Sequence, residues 1–461
     1  MQAYGQVTVM DMMDAREARC MMQQTLLARY PGAALVCLTM NIAGPVKNTP
    51  LIRRAFAWGK AQTAALLAAD RVLFDAEICE KTGPEAVFCV TGDELEIKRR
   101  LCLLEDGSPM GRLLDIDVIA AGGEKISRTD IGLPPRRCLL CGNDAPVCAR
   151  SRAHSAAELF DRANAIMTAH FEDAFARRAA QQAQRALLTE AAIAPKPGLV
   201  DRLNAGAHSD MDLFTFIDSA CALRNYFETC VRIGLAHRGK TPSACFPALR
   251  AAGLAAEQAM YAATGGVNTH KGAVFSLGIY CAALGLGYGD GESDAQQAFE
   301  LCAQMTRAQM EKELAAIRGG EARTFGEEIY KRSGVGGVRA EAAGGFIHVR
   351  HGALARLTRC MESGLSLNDA GLCALVALMA AVEDTNAVRR GGMEAARRLR
   401  EAAAALDCEI DAALAAGTLG AEMDAIRARL AGWDAAMSGA RVSPGGCADM
   451  LALALLAYFM A

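Results

Sequence analysis

Thr264-Gly265-Gly266-Val267-Asn268-Thr269-His270-Lys271-Gly272 leads without a break into Ala273-Val274-Phe275-Ser276-Leu277-Gly278-Ile279-Tyr280. The first segment combines a cation, an imidazole, an amide, hydroxyls and bare glycine backbone, a mixture that no apolar core requires. A glycine turn that opens an apolar helix aims free backbone N–H groups and a helix dipole at one point, where phosphate binds well. The device recurs. Arg389-Arg390-Gly391-Gly392 precedes the helical pattern Met393 to Ala405, and Ser443-Pro444-Gly445-Gly446 precedes an apolar run from Cys447. Glycine pairs that each lead into a helix predict a helical scaffold with a site for several phosphates.

Working outward, Ser155 and Glu158 form a capping box for a long helix, and the polar run Arg177 to Arg185 continues helically. Beyond it come helical patterns separated by glycine-rich turns. Residues 179–461 are therefore expected to form an all-α domain. The opening stretch alternates element types. Asp14 to Tyr30 reads as a helix with Asp14 as N-cap, and Pro50 to Asp70 as a helix started by proline. Ala34 to Asn41, Val72 to Ile78, Ala86 to Thr91 and Arg112 to Ile119 read as strands. Residues 1–178 are expected to form an α/β or α+β domain, with the boundary near Arg178.

Bulk properties narrow the classes. The chain has 461 residues, enough for more than one domain. A net charge of -3 argues against a nucleic-acid binder. The 17 Cys are odd in number and irregularly spaced, which reads as free thiols in a reducing cytoplasm. No charged-then-apolar leader pattern opens the chain. The apolar run Met450 to Ala461 is too short to cross a bilayer and reads as a buried terminal helix, so no membrane partner is expected.

In the first domain, Leu113-Leu114-Asp115-Ile116-Asp117-Val118 carries the strongest signal. Alternate strand residues share a face, so Asp115 and Asp117 point together. Adjacent carboxylates repel unless a cation sits between them, and Mg²⁺ bridging a triphosphate is a common solution. Asp75 and Glu77 form a second such pair and offer a third ligand. Arg112, Lys125, Ser127 and Arg128 flank the pair with phosphate-binding side chains. Arg16 and Arg19 share a helix face, and Asn41-Ile42-Ala43-Gly44-Pro45-Val46-Lys47 leaves a strand as a turn with a lysine. Cys138, Cys141, Cys148 and His154 have the order of a zinc knuckle, but their second half is irregular, so no stoichiometric zinc is expected.

These residues together resemble a known family. Arg16 to Arg19, Asn41 to Lys47, Thr82-Gly83-Pro84-Glu85-Ala86, Gly111 to Val118 and Leu133-Pro134-Pro135-Arg136-Arg137-Cys138-Leu139-Leu140-Cys141 resemble apo-citrate lyase phosphoribosyl-dephospho-CoA transferase. Ala43 stands where that pattern has proline. Pro195-Lys196-Pro197-Gly198-Leu199-Val200-Asp201 with Asn204, Gly206 to Met211, Thr264 to Gly272, Asp384-Thr385-Asn386 with Arg390-Gly391-Gly392, and Ser443 to Gly446 with Asp449 resemble triphosphoribosyl-dephospho-CoA synthase. In the turn Val338 to Ala342, Ala340 stands for a usual glycine, and Cys447 stands for a serine. A fused transferase and synthase fits the whole chain.

The resemblance implies a nucleotidyltransferase-type first domain and a reaction of ATP with 3′-dephospho-CoA in the second. The ribose 2′-hydroxyl of dephospho-CoA attacks C1 of the ATP ribose and adenine leaves. The product is then transferred to a serine of the apo acyl carrier (gamma) subunit of citrate lyase, releasing pyrophosphate. The first domain would bind through Arg16, Arg19, Asn41, Gly44, Lys47, Arg112, Lys125, Ser127 and Arg128, with Asp115 and Asp117 catalytic and metal-bound. The second would bind through Lys196, Asn204, His208, Gly265, Gly266, Asn268, Lys271, Arg339, Asn386, Arg390, Gly391, Gly392, Ser443, Gly445 and Gly446. Mg²⁺ is expected, with Asp201, Asp210, Asp384 and Asp449 as candidate ligands and His270 and Glu341 as candidates for proton transfer. Competing readings are a P-loop kinase or phosphatase, disfavoured because no Gly-x-x-x-x-Gly-Lys-Ser/Thr loop occurs, a synthase serving malonate decarboxylase, and a nucleotide-binding carrier chaperone without turnover.

Overall fold

A computed structural model describes residues 5–289, 291–319, 328–331 and 336–461. Contacts divide the chain into Met1–Asp173 and Ala174–Ala461.

The first unit is built on an antiparallel sheet of order β2-β3-β1-β4-β5, with β1 Ala34–Met40, β2 Arg71–Glu80, β3 Gly83–Thr91, β4 Leu114–Ile119 and β5 Lys125–Ile126. The unit is thus α+β rather than doubly wound. Helix α1, Val9–Arg29, starts earlier than Asp14, because Thr8 and Asp11 form a capping box. Helix α2, Pro50–Leu67, is capped by Thr49 with proline in its first turn. Helix α3, Glu94–Asp106, is capped by Asp93.

Cross-strand register fixes the two faces of the sheet. Leu114, Ile116 and Val118 pair with Met40, Leu38 and Val36 and pack with Phe56 of α2 and Ile97 and Leu101 of α3. Asp115 and Asp117 pair with Thr39 and Cys37 on the opposite face. There α1 covers only part, through Leu26 against Leu35, Cys37, Val87 and Cys89. Because β5 pairs only with Val118 and Ile119, Ile116 faces no strand on that side. Buried side chains of α3 take its backbone groups instead: Glu105 accepts its N–H at 2.9 Å and Lys98 donates to its carbonyl at 2.7 Å.

After helix α4, Ala145–Ser151, the Ser155–Glu158 capping box starts the helix α5, Ala156–Ala192. Ala163, Ile166, Met167 and Phe171 of α5 pack into a core of the first unit, and Phe175, Ala176, Ala179, Ala180 and Ala183 into the core of the second. The expected polar connection is therefore apolar on its packed faces.

Among its described residues the second unit holds helices and one isolated bridge, Gly289 with Glu292. Helix α6, Leu213–Ala236, is followed by α7, Phe246–Ala263, and α8, Lys271–Leu286, and α6 and α8 cross in backbone contact. A β-carbon on Gly234 would lie 2.0 Å from the carbonyl oxygen of Ala282, and one on Gly285 2.1 Å from that of Val231. The helices Leu367–Ala381 and Gly445–Met460 are buried along most of their length, as core helices of apolar composition are. No single helix among the described residues is long and apolar enough to cross a membrane.

Candidate functional sites

In the second unit, distant segments converge on a cavity of about 620 Å³. Three helices begin on its wall: α8 with Lys271 and Gly272, the helix Thr385–Ala416 with Thr385 and Asn386, and the helix Gly445–Met460 with Gly445 and Gly446. Their N-terminal N–H groups and dipoles favour anions. Asp384 ties two of these starts together. Its Oδ1 accepts from the N–H groups of Asn386 (2.7 Å) and Ala387 (3.0 Å), and its Oδ2 from that of Cys447 (2.8 Å).

Around these starts lie the polar groups of the wall. His208 Nε2 meets Ser443 Oγ at 3.1 Å, and its Nδ1 meets Arg390 Nη2 at 3.2 Å. Burial, then the Arg390 charge, lowers the His208 pKa. His270 is 3% exposed. The Thr269 hydroxyl donates to Ser219 Oγ at 2.8 Å, so the Ser219 proton is free to go to His270 Nδ1 at 2.7 Å. His270 then carries its own proton on Nε2, which is buried without a protein partner. Burial, with the Lys196 charge adding to it, pushes the His270 pKa down to about 3. Asp449 and Glu190 also line the wall, and burial raises the pKa of each. Glu190 and Asp384 raise Asp449 further by repulsion.

Several expected residues stand elsewhere. Lys196 is wholly buried and bonded to Glu190, whose carbonyl it meets at 2.6 Å. Asp201 accepts from the N–H groups of Lys196, Leu203 and Asn204 at 2.8, 2.7 and 3.1 Å, which saturates it as a turn former. Asn204 bonds Asp434 at 2.8 Å. Asp210 does line the cavity, from an exposed position 3.9 Å from His208. Asn268 lines the cavity, and Lys271 does so with its Nζ 2.8 Å from Glu257. Gly265, Gly266, Gly391 and Gly392 do not line it. Gly392, at φ 81°, breaks a helix that begins earlier, at Thr385, rather than starting one at Met393. The segment around Ala340 is the helix Gly337–Gly344, not a turn, so Ala there meets no backbone demand for glycine. Arg339 stands 3.9 Å from Glu313, and Glu341 bonds His348 Nδ1 at 2.6 Å while its Oε2 is buried without a partner. Glu190 was missed because it lies inside a long helix with no motif around it.

In the first unit, Asp115 and Asp117 lie on the sheet face that α1 leaves partly open. Arg136 Nη1 lies 3.8 Å from Asp115, and Lys125 Nζ lies 2.7 Å from Asp117. Asp75 and Glu77 do not join them. Register puts both on the opposite face at the far edge strand, where Glu77 pairs with Lys60 of α2 at 2.8 Å. The acidic neighbour on the Asp115 face is Glu85, held by Arg19 through Nε at 2.7 Å. Arg16 is close enough to Lys47 to lower its pKa, after burial, and Lys47 donates to the carbonyl of Ile42. Gly44 takes φ 79° in that turn. Ser127 is tied to Asp130 at 2.7 Å, and Arg128 to Glu105 and Asp106, so both serve the local turn. Asn41 and Arg112 line a cavity of about 540 Å³ together with Arg136, Arg137 and Arg152. Arg136 was missed because only its position beside Leu114 and Asp115 shows its use.

Cys138, Cys141, Cys148 and His154 do come together, with ligand atoms all within 4.8 Å of one another. The irregular spacing that argued against a site is closed by helix α4 and by Arg152, whose left-handed backbone (φ 48°) turns the chain back.

Residues 176–461 match the family described as ATP:dephospho-CoA triphosphoribosyl transferase, and residues 7–170 match apo-citrate lyase phosphoribosyl-dephospho-CoA transferase. The chain is 34% identical to Protein CitXG of Haemophilus influenzae, over 98% of this chain and 96% of the relative. It is 35% identical to Protein CitXG of Leuconostoc mesenteroides subsp. cremoris, over 84% of each. A probable 2-(5″-triphosphoribosyl)-3′-dephosphocoenzyme-A synthase of Vibrio cholerae is 40% identical over 60% of this chain and 86% of its own length.

Proposed function

We propose a division of labour between two sites, on the premise that the chain belongs to the ATP:dephospho-CoA triphosphoribosyl transferase family over residues 176–461 and to the apo-citrate lyase phosphoribosyl-dephospho-CoA transferase family over residues 7–170. The protein is a transferase that makes and attaches the prosthetic group of citrate lyase. The second unit (Ala174–Ala461) joins ATP to 3′-dephospho-CoA with loss of adenine. The first (Met1–Asp173), of nucleotidyltransferase type, passes the product to a serine of the apo acyl carrier with loss of pyrophosphate. The cytoplasm, where both substrates occur, is its place of work.

The observation that carries this reading is the convergence of three helix starts, His208, Arg390 and Ser443 on one cavity. Its size lies in the usual range for small-molecule sites, roughly 300–1,000 Å³. The helix starts and Arg390 hold the triphosphate, with Asn268, Lys271 and Asn386 at their rims. His270 stays neutral and donates a hydrogen bond through Nε2. Glu341, one turn on from the lining residues Gly337 and Val338, transfers the proton needed as adenine leaves, with His348 as its relay.

Mg²⁺ fits both donor sets. Asp115 and Asp117 share one face and already attract cationic side chains. Asp449, beside Glu190, is a buried carboxylate whose pKa is raised by burial and by the charges of Glu190 and Asp384, which a cation would relieve. When bound, the ion neutralises phosphate charge. Arg19, Arg112, Lys125 and Arg136 orient the polyanion in the first domain.

The test is to incubate the full chain with ATP, Mg²⁺, dephospho-CoA and apo carrier, then read free adenine and carrier mass. Adenine release matching carrier modification is expected. Release of ADP or phosphate without adenine would overturn the reading, as would nucleotide binding without turnover.

A further inference from the structure

We propose that Cys138, Cys141, Cys148 and His154 bind one structural Zn²⁺ that clasps the arginine-bearing wall of the first unit's cavity. Three thiolates and one imidazole, all from protein, make a closed four-ligand set of the kind zinc takes in structural sites. Their ligand atoms already lie within 4.8 Å of one another, with Cys141 Sγ 3.4 Å from Cys148 Sγ.

The backbone is shaped for this. Cys138 N–H donates to the carbonyl of Asn143 at 2.6 Å, closing a tight loop that carries Cys141. Leu140 N–H points at Cys138 Sγ at 3.5 Å, a contact that stabilises charge on a sulfur. Cys148 sits on α4, and the left-handed Arg152 returns the chain so that His154 joins the cluster. His154 Nε2 is buried with no hydrogen-bond partner.

A second, independent observation concerns what else could hold this segment. From Gly132 to Ser155 only Cys148 is buried. Such a stretch has little apolar core of its own; Leu139 packs on the first unit's core and Arg136 bonds the carbonyl of Leu114, and a metal would supply the cross-link that thinly cored segments commonly use. The segment has work to do in place: Arg136, Arg137 and Arg152 lie on the wall of the cavity of about 540 Å³, beside Cys138, Cys148 and His154. Zinc binding releases the proton of each thiol it captures and leaves the site with one net negative charge, on the same cavity wall as these arginines. The ion therefore fixes where the cationic wall stands and takes no part in bond making.

The test uses the full chain, purified with reductant and without chelators or metal-affinity steps. Elemental analysis should give one zinc per chain, and Co²⁺ exchanged into the wild-type protein should give the intense spectrum of a tetrahedral thiolate site. Cys141→Ser and His154→Ala should reduce zinc at least tenfold. Adenine release from the second unit should stay within twofold, which shows the variants are folded. Chelation of the wild-type protein should expose the 132–155 segment to protease and slow carrier loading. Zinc-free protein with all its thiols titratable would overturn the proposal. So would a Cys141–Cys148 disulfide, seen as two fewer titratable thiols without zinc, and so would a cobalt spectrum lacking thiolate bands.

Discussion

Gly272 faces the carboxylate of Asp449 so closely that a β-carbon on it would lie 1.9 Å from Oδ2. The Asp449 carboxylate also accepts from the N–H of Ala273, so it sits on the start of α8. Only glycine lets that helix start and that carboxylate share the cavity wall. Gly272→Ala should displace Asp449 and cut adenine release about 100-fold, the order expected when a site group is misplaced by about an ångström. Overpacking of this kind costs about 1–3 kcal/mol, so the variant should still fold. Adenine release and the urea midpoint, measured on one preparation, decide it; an unchanged rate would remove Asp449 from the site.

Asp115 and Asp117 share a sheet face beside Arg136 and Lys125. Asp115→Asn or Asp117→Asn should lower carrier loading at least about 100-fold, the order seen when a main electrostatic stabiliser is lost. Adenine release belongs to the other unit and should not change. Carrier loading is read by mass with pre-made triphosphoribosyl-dephospho-CoA as donor, and normal loading by the double variant would refute the assignment.

The sequence was readable where local chemistry decides structure. The Ser155–Glu158 capping box and the Thr49-Pro50 start are local signals, and both helices begin there. Thr8 with Asp11 carries the same signal, but Asp14 lies closer to the apolar pattern and drew the start inward. Helix α3 escaped notice because Lys98 and Glu105 interrupt its apolar stripe, and they are buried for the backbone of β4, which no local pattern reveals. The pairing of Asp115 with Asp117 follows from strand periodicity alone. The exclusion of Asp75 and Glu77 needs the order of strands, a non-local fact. Likewise the starts at Lys271 and Gly445 were legible, whereas the third lies at Thr385 and not at Met393, and no local pattern shows that Gly265, Gly266, Gly391 and Gly392 stand off the cavity while Gly272 and Gly445 reach it.

Lys196 reads from sequence as a phosphate ligand, yet it is 0% exposed and paired with Glu190. Removing one partner of a buried pair leaves an uncompensated charge, at a cost of about 3–5 kcal/mol. Lys196→Met should lose stability of that order in urea unfolding, and adding Glu190→Gln should restore most of it. A Lys196→Met protein of normal stability with a raised KM for ATP would show instead that Lys196 leaves Glu190 to hold phosphate.

His270 gives a pH signature. Its ordinary pKa is 6.5 and its folded value about 3, so between these values the unfolded chain binds a proton that the folded chain refuses. Its contribution to stability is complete above about pH 6.5 and is lost as pH falls toward about 3, with a slope of at most about 1.4 kcal/mol per pH unit. His208, also lowered, acts with the same sign. His270→Gln should flatten the acid limb relative to wild type, measured as the difference in unfolding free energy between pH 7 and pH 5. Parallel curves would mean that His270 takes up its proton as readily in the folded protein as in the unfolded chain.

Where the chain is cut should decide whether its halves work. The division between units falls after Asp173, within α5, and Phe175 and Ala176 pack in the core of the second unit. Phe175 also meets Tyr288 with ring centroids 4.5 Å apart. Halves made of residues 1–173 and 174–461 should each fold and keep their own activity. A cut after Arg178 strips Phe175 and Ala176 from the second half, and losing a buried Phe costs about 3–5 kcal/mol. That half should unfold at lower urea concentration and release adenine more slowly at physiological temperature. Joining the units matters for a different reason: the product of one is the substrate of the other, and a covalent joint raises the local concentration of intermediate without requiring a tunnel. Mixed halves cut after Asp173 should therefore load the carrier with a longer lag than the intact chain at dilute protein, and the lag should shrink as protein concentration rises. A time course of carrier modification at several concentrations separates the cases. Equal lags at every concentration would mean that the joint has no kinetic role, and equal stability of the two second halves would mean that α5 before Arg178 is not part of that core.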